Sequence, residues 1–206
     1  MTRPKTLLEM AGAAGQPVLW DKSGLLLIDH QVEYTAAGRL PLAGIDAAAA
    51  EIGRLLAAAR RHGAPVIHVR HHGRPGGALF DPEGPGSQFI AGIGPADGET
   101  IVTKALPNAF AGTDLDARLK TLDRRELIVA GFQTHMCVSA TVRSAVDHGY
   151  RSAVIAAGCA TRDLPDPLGG GVMAAADLHR VTLTALSDRF ATILTDTGAI
   201  SVPAAA

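Results

Sequence analysis

The chain has 206 residues, 47% of them hydrophobic, and a formal net charge of −1. This predicts one domain over residues 1–206 with a proper core, and the balanced charge leaves no footprint for nucleic acid or an anionic membrane. Two cysteines make no disulfide framework, and no uncharged apolar run reaches roughly 18 residues, so a cytoplasmic protein without a membrane span is expected.

Residues 1–20 form an arm of weak pattern. Glu9 interrupts the Leu7-Leu8-Met10 cluster, so the arm lacks a signal-peptide core, and Trp20, the single tryptophan, is expected to pin it to the body. Residues 24–28 are a continuous apolar run that ends in Asp29, which suits a parallel strand buried on both faces. Ile45, Ala48, Ala49, Ile52, Leu55, Leu56 and Ala59 share one helical face, which predicts a helix over 45–62 ended by Gly63. Residues 65–70 read as a second strand. The stretch 71–98 is rich in Gly and Pro, and a loop of that length inside a compact domain is functional or disordered. Residues 100–104 form a third strand ending in Lys104, and a short helix over 113–122 turns Leu115 and Leu119 inward. A fourth strand covers 126–130, a fifth 151–157 and a sixth 190–194, with a second Gly/Pro-rich loop at 158–171 and a helix over 172–187.

Alternating strands and helices imply a parallel sheet covered on both faces, joined by right-handed crossovers. Such sheets bind ligands beyond the carboxyl ends of their strands. Asp29, Lys104 and Cys137 all fall at or just past a carboxyl end. Taken singly, Asp29 reads as a turn cap and Lys104 as a solvated lysine; together with a cysteine they read as chemistry.

Cys137 lies in Gly131-Phe132-Gln133-Thr134-His135-Met136-Cys137, between the fourth strand and a helix marked by Val138, Thr141, Val142, Ala145 and Val146 and stopped at Gly149. Near a first helical turn, unpaired N–H groups and the helix dipole favour a thiolate, with Thr134 as the N-cap. The other reading of Cys137 is a small buried hydrophobe. Cys159 looks like a packing residue, and His179 like a packing histidine on the last helix.

Three pieces in order, Leu26-Leu27-Ile28-Asp29-His30-Gln31, Lys104 with Asn108-Ala109-Phe110, and Gly131 to Thr141, resemble the isochorismatase-like cysteine hydrolases, which include nicotinamidases and other small-amide hydrolases. The stretches 104–110 and 135–137 are locally similar to streptothricin hydrolases. The resemblance implies a three-layer α/β/α sandwich around a six-stranded parallel sheet in the order 3-2-1-4-5-6. It also implies a catalytic triad of Asp29, Lys104 and Cys137, and a cis peptide at Phe132–Gln133. The backbone N–H groups of Gln133 and Cys137 would then form an oxyanion hole. Tyr34, Asn108, Phe110 and His135 are candidates for substrate contact, while His30 and Gln31 are structural candidates. If the third strand lies beyond the second, Lys104 must reach back toward the first.

The region after the second strand lacks the nicotinamidase Asp-x-His pattern for metal. His68, His71 and His72 are therefore expected as solvated loop histidines, and neither metal nor cofactor is expected. The implied activity is hydrolysis of a C–N bond (amide, lactam or carbamoyl) in a small molecule through a Cys137 thioester. The alternatives are hydrolysis of the enol ether in isochorismate, for which this family can dispense with the cysteine, and a non-catalytic binding protein on the same fold. The family commonly assembles as dimers or larger, so a homo-oligomer (dimer or tetramer) is expected, with the arm before Trp20 as a segment able to reach a neighbour.

Overall fold

The computed structural model describes residues 3–201; residues 1, 2 and 202–206 of the expected domain span lie outside the described residues. Strands run in chain order as β1 (Ser23–Ile28), β2 (Val66–His71), β3 (Thr100–Lys104), β4 (Glu126–Phe132), β5 (Arg151–Ala160), β6 (Leu164–Pro165), β7 (Val172–Met173) and β8 (Ala191–Leu194). The helices are α1 (Leu7–Met10), α2 (Ile45–Arg61), α3 (Leu115–Thr121), α4 (Ser139–Asp147) and α5 (Ala175–Arg189). Six strands form one sheet in the order β3-β2-β1-β4-β5-β8, every pair parallel. This is the expected three-layer sandwich, with β8 in the place of the sixth strand; β6 and β7 form a separate hairpin.

The unbroken apolar run of β1 follows from its central position. Side chains alternate across a strand, so Leu25 and Leu27 join the core beneath α2, while Leu26 and Ile28 join the core beneath α3, α4 and α5. All four are fully buried, and each contributes roughly 1.5–3 kcal/mol of transfer free energy. The α2 helix buries Ile45, Ala48, Ile52, Leu55, Leu56 and Ala59, and Gly63 follows its end with φ of 63°.

Three segments differ from the sequence expectation. The arm of weak pattern carries structure of its own: α1 has a Thr6/Glu9 capping box, and the Leu7 N–H donates to Asp188 Oδ1 at 2.8 Å on α5. Trp20 does pin it, buried and stacked on His62 at 6.0 Å. The stretch 71–98 is tied to the segment after β1: Val32 N–H donates to Gln88 O (2.9 Å), Ile90 N–H to His30 O (3.0 Å), Gln31 Nε2 to Ser87 O (2.8 Å), and buried Glu33 accepts the Phe80 N–H (3.5 Å). The last helix starts at Ala175 rather than 172 because Val172 and Met173 pair with Pro165 and Leu164, and Asp163 Oδ1 accepts the Ala175 N–H at 2.7 Å. Among the described residues no helix is long and apolar enough to cross a membrane.

Candidate active site

The carboxyl end of β1 fixes the first group. The Asp29 N–H still donates to Val69 O at 2.9 Å, but its φ of 51° turns the chain out of the sheet. Aspartate is among the few non-glycine residues that tolerate this left-handed conformation. On the other flank, β4 pairs with β1 through Ile28 and Gly131. A Cβ on Gly131 would lie 2.0 Å from Ile28 O, and its φ is 129°, so only glycine lets the two strand ends meet this closely.

Beyond Gly131 the Phe132–Gln133 peptide bond is cis. Thr134–Val138 then forms a π-turn, in which Val138 N–H donates to Gln133 O at 3.2 Å, before α4 begins at Ser139. Such π-turns recur at functional sites. Thr134 does not cap this turn: its hydroxyl donates to Ala160 O (3.1 Å) and pairs with His179 Nδ1 (2.9 Å). That bond also satisfies His179.

Lys104 reaches the pair from β3, two strands away from β1. Its register partner on β2 is His71, where β2 ends, so the side chain passes over that end. Lys104 Nζ lies 2.7 Å from Asp29 Oδ2 and donates to Cys137 Sγ at 3.3 Å; both side chains of the ion pair are fully buried. A third neighbour of Nζ is His71 Nδ1, at 3.2 Å.

Burial raises the Asp29 pKa above the ordinary carboxylate value, opposed by the charge and hydrogen bond of Lys104. Burial also pushes the Cys137 thiol up to about 12, reinforced by the Asp29 charge and opposed by Lys104. A resting thiolate, expected from a helix N-terminus, is therefore not favoured. Cys137 sits inside a buried π-turn, and desolvation with a neighbouring carboxylate outweighs a helix dipole worth at most about 2 kcal/mol.

Tyr34 lines this site. Its ring packs edge-on against Phe80 at 5.2 Å and Phe132 at 5.8 Å. Burial and then the charges of Asp29 and Cys137 push its phenol well above the ordinary range. His135 pairs through Nδ1 with Thr161 Oγ1 at 2.6 Å, while its Nε2 is buried without a partner among the described residues. Gln133 Oε1 is likewise buried and unpartnered. Asn108 and Phe110 have contacts within the protein. Asn108 Oδ1 accepts the Phe110 N–H at 2.9 Å, and the Phe110 ring stacks on His148 (4.5 Å) and Tyr150 (5.9 Å) in the α3–α4 core.

The histidines after the second strand are not solvated loop residues. His68 is fully buried within β2, bonded to His30 Nε2 at 2.9 Å and to Glu99 Oε2 at 2.9 Å. His71 is half-buried against Lys104, and only His72 approaches the expected setting. Among the described residues no group of three His, Cys, Asp or Glu side chains is arranged to hold a metal. Cys159 is buried, and burial pushes its thiol up to about 12, as a packing residue requires.

Two contributors, Phe80 and Arg162, escaped the sequence; Gln31, expected as structural, is a third. Gln31 clamps the end of β2: its Oε1 accepts His71 N–H (2.7 Å) and its Nε2 donates to His71 O (2.9 Å) and Ser87 O (2.8 Å). Phe80 comes from the middle of a loop without periodicity. Arg162, whose guanidinium acts on both Tyr34 and His135, has a buried, unpartnered Nε. The strand-end rule would have flagged Arg162 had β5 been extended to Ala160 instead of 157.

Residues 23–197 match the family model described as the isochorismatase domain. A crystal structure of an isochorismatase from Pseudomonas putida KT2440 superposes with a TM-score of 0.90 at 43% identity, covering 97% of this chain and 100% of that one. Streptothricin hydrolase of Streptomyces noursei is 34% identical over 170 residues, covering 81% of this chain and 57% of that protein. Maleamate amidohydrolase of Pseudomonas putida is 31% identical over 149 residues, covering 65% of this chain and 70% of that protein.

Proposed function

The chain belongs to the isochorismatase family, and we propose that it is a cysteine hydrolase cleaving the C–N bond of a small amide through a thioester on Cys137. The observation that carries this reading is one buried ammonium touching both a carboxylate and a thiol: Lys104 Nζ is 2.7 Å from Asp29 and 3.3 Å from Cys137. A relative named as an amidohydrolase supports the bond type. A contacted thiol favours this over enol-ether hydrolysis, which needs no sulfur nucleophile.

With the thiol held near 12, the nucleophile is generated as it attacks. Asp29 takes the thiol proton while sulfur bonds to the amide carbonyl carbon. Lys104 offsets the negative charge held among carboxylate and sulfur. The N–H groups of Gln133 and Cys137 receive the tetrahedral oxyanion. Asp29 returns its proton to the leaving nitrogen as the C–N bond breaks, leaving a thioester. Water then attacks the thioester carbon as Asp29 takes its proton; the C–S bond breaks, Asp29 returns that proton to sulfur, and the carboxylic acid departs.

Among small amides, the guanidinium of Arg162 favours one that carries a carboxylate. A homo-oligomer fits the exposed Leu168 and Val172 of the hairpin between β5 and α5. The test is a panel of small primary amides, with released ammonia measured and the Cys137 peptide examined by mass spectrometry. Expected are turnover, an acyl mass on Cys137, and loss of both in Cys137→Ala. Equal turnover by Cys137→Ala would overturn the reading.

A further inference from the structure

An ammonium has three N–H donors and no acceptor. Two of the Lys104 donors face Asp29 Oδ2 at 2.7 Å and Cys137 Sγ at 3.3 Å; the third faces His71 Nδ1 at 3.2 Å. Because the ammonium cannot accept, Nδ1 must present a lone pair, which assigns the ring proton to Nε2. His71 is neutral here: burial, then the charges of Lys104 and His72, push its pKa down to about 4. The residue is fixed at its backbone and its ring is packed on one side. Gln31 grips the His71 backbone on both sides, Phe80 lies edge-on at 5.0 Å, and β2 ends at this residue.

We infer that His71 is a positioning residue for the nucleophile: its Nδ1 lone pair takes the third Lys104 N–H and keeps the ammonium aimed between Asp29 and the Cys137 sulfur. The two acceptors differ in strength. The charged carboxylate holds the ammonium tightly at 2.7 Å, whereas a thiol sulfur is a weak acceptor even at 3.3 Å. Without an acceptor on the β2 side, the ammonium settles toward Asp29 and the sulfur loses its neighbour. The position also answers how a lysine on β3 serves a site on β1 and β4. The strand it must cross supplies the acceptor at the crossing point.

This inference rests on Cys137 being the nucleophile, but its test needs no substrate. The probe is iodoacetamide, with alkylation of Cys137 followed by peptide mass spectrometry from pH 6 to 9.5. His71→Asn keeps an acceptor near the Nδ1 position; His71→Leu removes it at similar volume. Loss of one hydrogen bond to a charged group should slow Cys137 alkylation about tenfold in His71→Leu, with His71→Asn within about twofold of the unaltered protein and thermal midpoints reported beside each rate. Equal rates in His71→Leu and the unaltered protein, or equal slowing in both variants, would overturn the inference. Nitrogen-15 imidazole spectra of the unaltered protein give a second reading that no folding failure can affect. A neutral His71 protonated on Nε2 is expected at neutral pH, and an Nδ1–H tautomer or an imidazolium overturns the inference. His71-dependent alkylation without turnover of any amide would sink the amidase reading and leave this one standing.

Discussion

Lys104 and Asp29 form a fully buried ion pair at 2.7 Å although their strands are not neighbours in the sheet. Such a pair is costly to break from one side, because the remaining charge stays desolvated. Lys104→Met should therefore lower stability by about 3–5 kcal/mol and abolish turnover. The double variant Lys104→Met/Asp29→Asn should recover part of that stability and none of the activity. Chemical denaturation of the four proteins in the cycle measures the coupling, and simple additivity of the two single changes would reject a buried, coupled pair.

The same burial sets the acid limb of activity. Asp29 must be ionised to take the thiol proton, and its pKa is raised by desolvation more than Lys104 lowers it. A raised pKa means the base is lost at a higher pH than an ordinary carboxylate near about 4 would be. The profile of kcat/KM should fall on the acid side with an apparent pKa above that value, and Asp29→Asn should be inactive throughout. A limb at or below the ordinary carboxylate range would remove Asp29 as the base in its buried, partly neutralised form.

Much of this geometry is legible in the residues. The all-apolar run before Asp29 implies a central parallel strand, and the rule that ligands gather at carboxyl ends groups Asp29, Lys104 and Cys137 before any coordinates are known. What sequence cannot convey is which side chains desolvate one another. A following helix makes Cys137 read as a thiolate, yet burial, reinforced by the carboxylate of Asp29, reverses the sign. His68 looked solvated because Gly and Pro follow it, yet Glu99, 31 residues later, bonds to it inside the protein. Each miss is a long-range contact that local periodicity does not encode.

The charge of Arg162 is felt by Tyr34 and His135, and its Nε has no partner among the described residues. If it recognises a carboxylate on the substrate, Arg162→Met should lower kcat/KM for a carboxylate-bearing amide by roughly 10–100-fold, the equivalent of one charge-assisted hydrogen bond. A neutral amide of similar size should change by less than about threefold. Steady-state kinetics on the matched pair decide it, and equal losses for both amides would show that Arg162 supports the fold or loop and does not read charge.

Glu99 ties the loop before β3 to the interior. Its carboxylate accepts from Arg60 at 2.8 and 2.9 Å, from the Ala96 N–H at 2.7 Å, and pairs with His68 Nε2 at 2.9 Å, which in turn meets His30 beside Asp29. Hydrogen bonding with Arg60, before any other cause, holds its pKa down at about 2, below the ordinary 4.5. A carboxyl with a depressed folded-state pKa contributes stability that is fully present above its unfolded value and is lost as pH falls through the folded one. Glu99→Gln should therefore be less stable than the unaltered protein by about 1–2 kcal/mol near neutral pH, a figure reduced because Arg60 is partly exposed. The gap should close progressively between the ordinary value near 4.5 and about 2. Urea denaturation at a series of pH values measures it. A gap that stays constant down to the lowest pH would mean that the charge on Glu99 contributes nothing, and that its shape alone anchors the loop.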